Sequence, residues 1–229
     1  MSGAALLRSA LLLHGGRGCG SGISALLAQR PRLRIPGVFD PFECAVWAIV
    51  GPQFSLDVRR AFALRLLARV GESIDPLADG LTHLFPAPRT LAELDLKDLG
   101  LTSARAETVR ALARAVCNGM SRFDEPAEEV TRALAKLPGI DPRTAQYVAL
   151  RGLGDPDAFL PADLLLRRIT EIQGPLSTPA ILEARAERWR PWRGYAAMHL
   201  WAASAELASE RPPVSDQALA GSFCTNDAC

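Results

Sequence analysis

Between residues 126 and 152 a helical run is broken once, at Leu137-Pro138-Gly139-Ile140-Asp141, and resumes at Pro142. Pro138 cannot continue a helix, and it pushes Leu137 away from helical angles. Gly139 can take positive φ at no steric cost. Asp141-Pro142 reads as an N-cap followed by Pro at the first helical position. The segment is therefore expected to fold as two helices joined by a tight hairpin, residues 126–137 and 142–152. Such a turn points backbone N–H groups outward where the dipole of the second helix also favours an anion. A phosphate oxygen can be held there without any base being read. On residue types alone, an ordinary helical corner fits equally well.

The rest of the chain shows the same helical periodicity. Phe42, Ala45, Val46, Ile49 and Val50 recur on one face after the cap Asp40-Pro41. Further helices are expected over 55–70 with Ser55 as cap, Leu91–Leu99, Ser103–Met120 after Thr102, 163–172, 178–189 and 191–209. Strand signals are nearly absent and no internal repeat is evident, so the expected fold class is all-α. The 229 residues, 48% of them hydrophobic, suffice for one large domain or two small ones. Residues 14–22 are Gly-rich, and 1–30 read as a flexible arm or remnant. Residues 31–210 read as the folded domain. The polar 211–229, opened by Arg211-Pro212-Pro213, read as a disordered tail.

Charge and cysteines exclude more than they suggest. The chain has 26 basic and 25 acidic residues. Residues 1–70 hold nine arginines against three acids, which allows a one-sided basic surface; ordinary solvated helix faces explain the same count, and charge alone favours them. Cys19, Cys44, Cys117, Cys224 and Cys229 form no CxxC pair, no Cys/His metal pattern and no four-cysteine iron–sulfur spacing. Reduced thiols and a cytoplasmic location are expected. No run reaches the roughly 18 apolar residues of a membrane span. The apolar start MSGAALLRSALLLH is interrupted by Arg8 and lacks a good cleavage site.

About twenty residues after the hairpin, Asp163 closes the stretch Phe159-Leu160-Pro161-Ala162-Asp163 and opens the helix LLLRRI. A lone carboxylate in apolar surroundings can stabilise a cation. Breaking an N-glycosidic bond builds positive charge on the sugar, and a carboxylate close to that carbon lowers the barrier and can orient or deprotonate water. Read by itself, Asp163 is sufficiently explained as an N-cap.

Three blocks stand in order: RPRLRIPGVFDPFECAVWAIVG from Arg30, LPGIDPRTAQYVALRGLGDPDAFLPAD from Leu137, and AERWRPWRGYAAMHLW from Ala186. Together they resemble the helix-hairpin-helix DNA glycosylase superfamily, most closely its alkylation-repair branch of the DNA-3-methyladenine glycosylase II type. The resemblance runs from about Arg30 to about Leu207. It implies a two-lobed helical fold with a DNA cleft, acting as a monomer on double-stranded DNA with alkylated bases. Asp163 would be the catalytic residue. Leu137, Gly139, Ile140, Asp141 and Thr144 would hold the DNA backbone. Main-chain carbonyls of Ala135, Leu137 and Ile140 would hold a structural Na+ or K+, with no other cofactor and no iron–sulfur cluster. Asp141 stands where the family usually has a second Gly, and Asp tolerates left-handed angles well enough to keep the turn. Trp201, Arg143 and Leu164 fall on base-pocket positions; Trp189, Trp192, Tyr195 and His199 read mainly as core.

In Gly51-Pro52-Gln53-Phe54-Ser55, Gln53 falls where a side chain plugs the gap left by a flipped base, although a plain interhelix loop explains the segment too. Some members carry a mixed α/β domain ahead of the helical core, whereas the thirty residues preceding it here show no strand pattern. Bifunctional relatives have Lys where this chain has Arg143. Arginine stays protonated and cannot form the Schiff base. The expected activity is therefore hydrolysis of alkylated purines such as 3-methyladenine, leaving an abasic site. The alternatives are a glycosylase for uracil, mismatched or oxidised bases, and a non-catalytic lesion-binding protein.

Overall fold

The computed structural model describes residues 20–51, 54–75, 81–119, 123–170 and 178–209. Ten α-helices account for most of them: α1 (Gly20–Gln29), α2 (Pro41–Val50), α3 (Leu56–Val70), α4 (Pro88–Glu93), α5 (Ser103–Cys117), α6 (Ala127–Leu134), α7 (Pro142–Gly152), α8 (Leu164–Ile169), α9 (Pro179–Ala186) and α10 (Arg193–Ser209). The only described strands are a two-residue antiparallel pair, Glu72–Ser73 with His83–Leu84. No helix among the described residues is long and apolar enough to cross a membrane.

Local rules set most helix starts. The Asp40 carboxylate accepts from Phe42 N–H at 2.8 Å. Ser55 and Thr102 hydroxyls accept from Val58 and Arg105 N–H, each at 3.4 Å. Each such cap satisfies a donor that the first helical turn leaves orphaned.

Three expectations shift. The helix expected over Leu91–Leu99 begins earlier, at Pro88, stops at Glu93, and is followed by a separate 3₁₀ turn, Lys97–Leu99. Two facts account for the start of the helix and the end of the turn. Pro88 suits the first helical position, and Gly100 turns left-handed at φ 94°. Residues 20–29, expected within a flexible arm, form α1, whose Ile23 and Leu27 are buried. The Gly-rich spelling hid an apolar pair at i and i+4, enough to dock a helix once α10 lies beside it. The helix expected over 178–189 ends as α-helix at Ala186 and continues as a 3₁₀ turn to Trp189.

The helices build two cores. The first contains Phe42, Val46, Val50, Phe62, Leu66, Leu112 and Leu134, from α2 to α6. The second contains Ile23, Leu27, Leu160, Leu166, Leu182 and Leu200, from α1 and α8 to α10. α7 belongs to both. Its Ala145 and Val148 complete the first core, and its Ala149 and Leu150 complete the second. Leu150 is fully buried, and a Cβ added at Gly194 of α10 would lie 2.7 Å from its Cδ1. Removing the Leu150 side chain would cost about 2–5 kcal/mol.

Candidate active site

The hairpin forms as its residues dictate. Gly139 has φ +83°, a region other residues enter only with strain. Leu137 and Ile140 bury their side chains in the first core, so only their backbone faces outward. Leu137 carbonyl accepts from Ile140 N–H at 3.2 Å, while no backbone N–H bonds the carbonyls of Ala135 or Ile140 among the described residues. These oxygens fit a monovalent cation in donor type. Asp141 differs from expectation. It is extended, φ −81° and ψ 162°, and needs no left-handed tolerance. Its carboxylate caps α7, accepting from Thr144 N–H at 2.6 Å. One of the amides available to an anion is therefore already engaged by the chain's own carboxylate.

Asp163 lies at the N-terminus of α8 with only 6% of its surface exposed. Its Oδ1 accepts from Leu165 and Leu166 N–H, both at 3.0 Å, and from Trp201 Nε1 at 3.3 Å. Its Oδ2 accepts from Arg143 Nη2 at 2.9 Å. Burial alone would raise the carboxyl pKa. Hydrogen bonds from Arg143, Leu166 N–H and Trp201, with the Arg143 charge, outweigh it and hold Asp163 below the usual carboxylate range. The group is thus an anion at neutral pH, oriented by donors from three helices.

The loop carrying Asp163 is clamped on both sides. Gln146 of α7 accepts from Phe159 N–H at 3.2 Å. Arg193, which opens α10, grips Asp157 through two parallel bonds, Nε to Oδ1 at 3.0 Å and Nη2 to Oδ2 at 2.9 Å. Bidentate pairs of this kind fix geometry as well as charge. Arg190 also bonds Asp157. Trp189 packs edge-on against Phe159 at 5.9 Å between ring centroids.

A cleft of about 480 Å³ opens between α2 and α7. Trp47 and Tyr147 line it, together with Arg59, Arg143 and Arg151, and among the described residues no acidic side chain does. Arg143, whose side chain is 41% exposed, belongs to the cleft wall and reaches Asp163 behind it. The structure thus brings Arg143 and Trp201 each into direct contact with Asp163. Leu164 follows Asp163 on the first turn of α8 and is half-exposed. Thr144 lines the cleft one residue beyond Arg143. Gln53 lies outside the described residues. Sequence reading did not foresee the Arg143–Asp163 pair, because nothing in a separation of twenty residues signals contact. Nor did it single out Trp47 and Tyr147 in the cleft, although Tyr147 stands one helical turn from Arg143 and so shares its face.

No protein-family model matches the chain. It is 39% identical over 184 residues to DNA-3-methyladenine glycosylase 2 of Escherichia coli, covering 78% of this chain and 63% of that protein. It is 36% identical over 193 residues to the probable bifunctional transcriptional activator/DNA repair enzyme AlkA of Mycobacterium tuberculosis, covering 83% of this chain and 39% of that protein. The chain thus spans less than two thirds of either relative. In fold it is similar to the Schizosaccharomyces pombe 3-methyladenine DNA glycosylase Mag1, solved in complex with abasic DNA. The TM-score is 0.67 at 19% identity, over 87% of this chain and 97% of that one. It is also similar to the Clostridium acetobutylicum 8-oxoguanine glycosylase/lyase, with a TM-score of 0.72 at 15% identity, over 90% of this chain and 71% of that one.

Proposed function

The chain belongs to the helix-hairpin-helix DNA glycosylase superfamily, in its alkylation-repair branch, and from that membership we propose that it hydrolyses the N-glycosidic bond of alkylated purines in double-stranded DNA. The observation that carries the reading is Asp163: a buried, ionised carboxylate behind the wall of an arginine-lined cleft. The duplex lies along the cleft, its phosphates attracted by Arg59 and Arg151 and by the amides of the 137–144 hairpin. The hairpin carbonyls of Ala135, Leu137 and Ile140 would hold a Na+ or K+, which would supply a positive charge toward the same backbone.

The damaged nucleotide leaves the stack so that its sugar meets Asp163, with the base among Arg143, Leu164 and Trp201. As the C1′–N bond lengthens, its electron pair goes to the base and positive charge grows on the sugar. Asp163 stabilises that charge, and water adds its oxygen to C1′ while its proton passes by way of the carboxylate to solvent. An alkylated purine already carries positive charge and departs neutral, so one carboxylate suffices. Gln53 fills the gap in the duplex. The protein acts as a monomer in the cytoplasm, on the chromosome.

The product is an abasic site in an unbroken strand. The only lysines, Lys97 and Lys136, belong to the 97–99 turn and the approach to the hairpin, and Asp163 is met instead by Arg143, which cannot form a Schiff base. The test is one incubation with methylated duplex DNA, followed by chromatography of free bases and by borohydride trapping. Free 3-methyladenine without a covalent adduct is the expected result. No released base refutes the activity, and a trapped adduct refutes the hydrolytic course.

A further inference from the structure

Arg143 combines two properties whose effect on the choice of base the hydrolytic reading leaves open. It forms part of the cleft wall, and its Nη2 lies 2.9 Å from Oδ2 of Asp163. Any nucleotide whose C1′ approaches Asp163 therefore brings its base within reach of a guanidinium. That group carries a permanent positive charge and five N–H donors in a planar fork. Among the described lining residues no acidic side chain joins it on the cleft wall, and the carboxylate that pairs with it, Asp163, lies behind that wall. Nearly half of the Arg143 side chain is exposed, so it can turn from Asp163 toward a bound base without opening the core.

The consequence follows from where the bonding electrons go. A cationic N-alkylated base receives the C1′–N pair and departs neutral, with no negative charge for a guanidinium to meet. Before departure, its positive charge faces that of Arg143. A neutral base receives the same pair and departs as an anion, with charge spread over ring nitrogens and any exocyclic oxygen. A guanidinium donates hydrogen bonds to those atoms and stabilises the charge as it develops. The anion is then protonated from solvent, and water supplies the hydroxyl on C1′. We propose that Arg143 is a specificity-determining residue that tilts this protein toward neutral lesion bases and away from cationic ones.

The proposal rests on the glycosylase reading above, and its test keeps the two apart. Single-turnover base release is measured on duplexes carrying one 7-methylguanine, a cationic base, or one hypoxanthine, a neutral base. Wild type is compared with Arg143→Gln, Arg143→Met and Arg143→Lys. The ratio of the two rates on one preparation cancels any inactive fraction, so a variant that folds poorly still reports. Loss of charge in Gln and Met should raise the ratio of 7-methylguanine to hypoxanthine release at least tenfold, with Lys staying near wild type. A ratio unchanged in both Gln and Met, or moved equally by Lys, overturns the proposal while leaving the glycosylase reading intact. Wild-type protein that releases neither of these bases overturns the proposal, and the glycosylase reading falls with it only if 3-methyladenine is not released either.

Discussion

Asp163→Asn isolates charge from shape at the centre of the site. The Asn carbonyl can keep the two cap bonds to Leu165 and Leu166 N–H and the bond from Trp201, because all three converge on one oxygen. Asn and Asp are also equally good N-caps. What disappears is the negative charge and the Oδ2 bond to Arg143. A unit charge about 4 Å from a developing sugar cation, at an effective dielectric of about 20, is worth about 4 kcal/mol. That converts to roughly a thousandfold in rate. The guanidinium, left without its partner, adds repulsion, so the loss does not fall below this figure. Stability should change little. The lost ion pair has a partner 41% exposed to solvent, which limits its worth to about 1 kcal/mol, or roughly 2–4 °C in Tm for a domain of this size. The assay is single-turnover release from a duplex with one alkylated purine, read by alkaline cleavage at the abasic site, alongside a DNA-binding titration and a melt. A folded Asp163→Asn protein that binds DNA and releases base within tenfold of wild type refutes the assignment.

Two further outcomes follow from the geometry. Gly139→Ala should destabilise the protein by about 2 kcal/mol, lowering Tm by roughly 4–8 °C, because the residue has φ +83° and an added Cβ would collide with the Thr108 hydroxyl. The same change should weaken binding to undamaged DNA, measured by anisotropy; an unaltered melt and affinity would show that the hairpin tolerates a side chain there. His199 is buried, and burial, followed by the nearby charge of Arg30, pushes its pKa down against the bond to the Leu26 backbone. It therefore stays neutral in the folded protein while the unfolded chain takes up a proton. Its stabilising contribution is present above the unfolded value of about 6.5 and is lost as pH falls below it. Melts at about pH 7.5 and 5.5 should show a larger fall in Tm for wild type than for His199→Gln, and equal falls would contradict the reading.

The sequence made the fold legible where local chemistry decides structure. Helix starts at Asp40, Ser55, Thr102 and Asp141 are side-chain caps that any chain with those residues would form, and α7 spans the range its proline and periodicity indicate. It was less legible where tertiary contact decides. α1 is hidden by its glycines and exists through Ile23 and Leu27 docking on the second core. At the site, Asp163 was visible through its block, but its environment was not. Arg143 and Trp201 lie 20 and 38 residues away on other helices, and only packing brings them to the same carboxylate. Asp157 shows the reverse case: a loop carboxylate with no evident role in sequence anchors the approach to Asp163 by gripping Arg193.

The sharing of α7 between two cores bears on which partner must yield during recognition. Eleven residues at 1.5 Å each give this helix a length of roughly 16 Å, fixed by hydrogen bonds along its axis and by close packing on both flanks. The 137–141 hairpin hangs from one end, and the clamp on the Asp163 loop hangs from its middle. The two cores therefore cannot slide past one another without disturbing the packing of α7 in both, and the span between hairpin and carboxylate acts as a ruler cut to one length. Under the proposed function, accommodation falls to the nucleic acid. A duplex that bends and unstacks cheaply, as it does at a weakened base pair, meets the ruler at lower cost than intact helix. Under that reading, stiffness in the protein becomes a means of sampling softness in DNA before any base is touched.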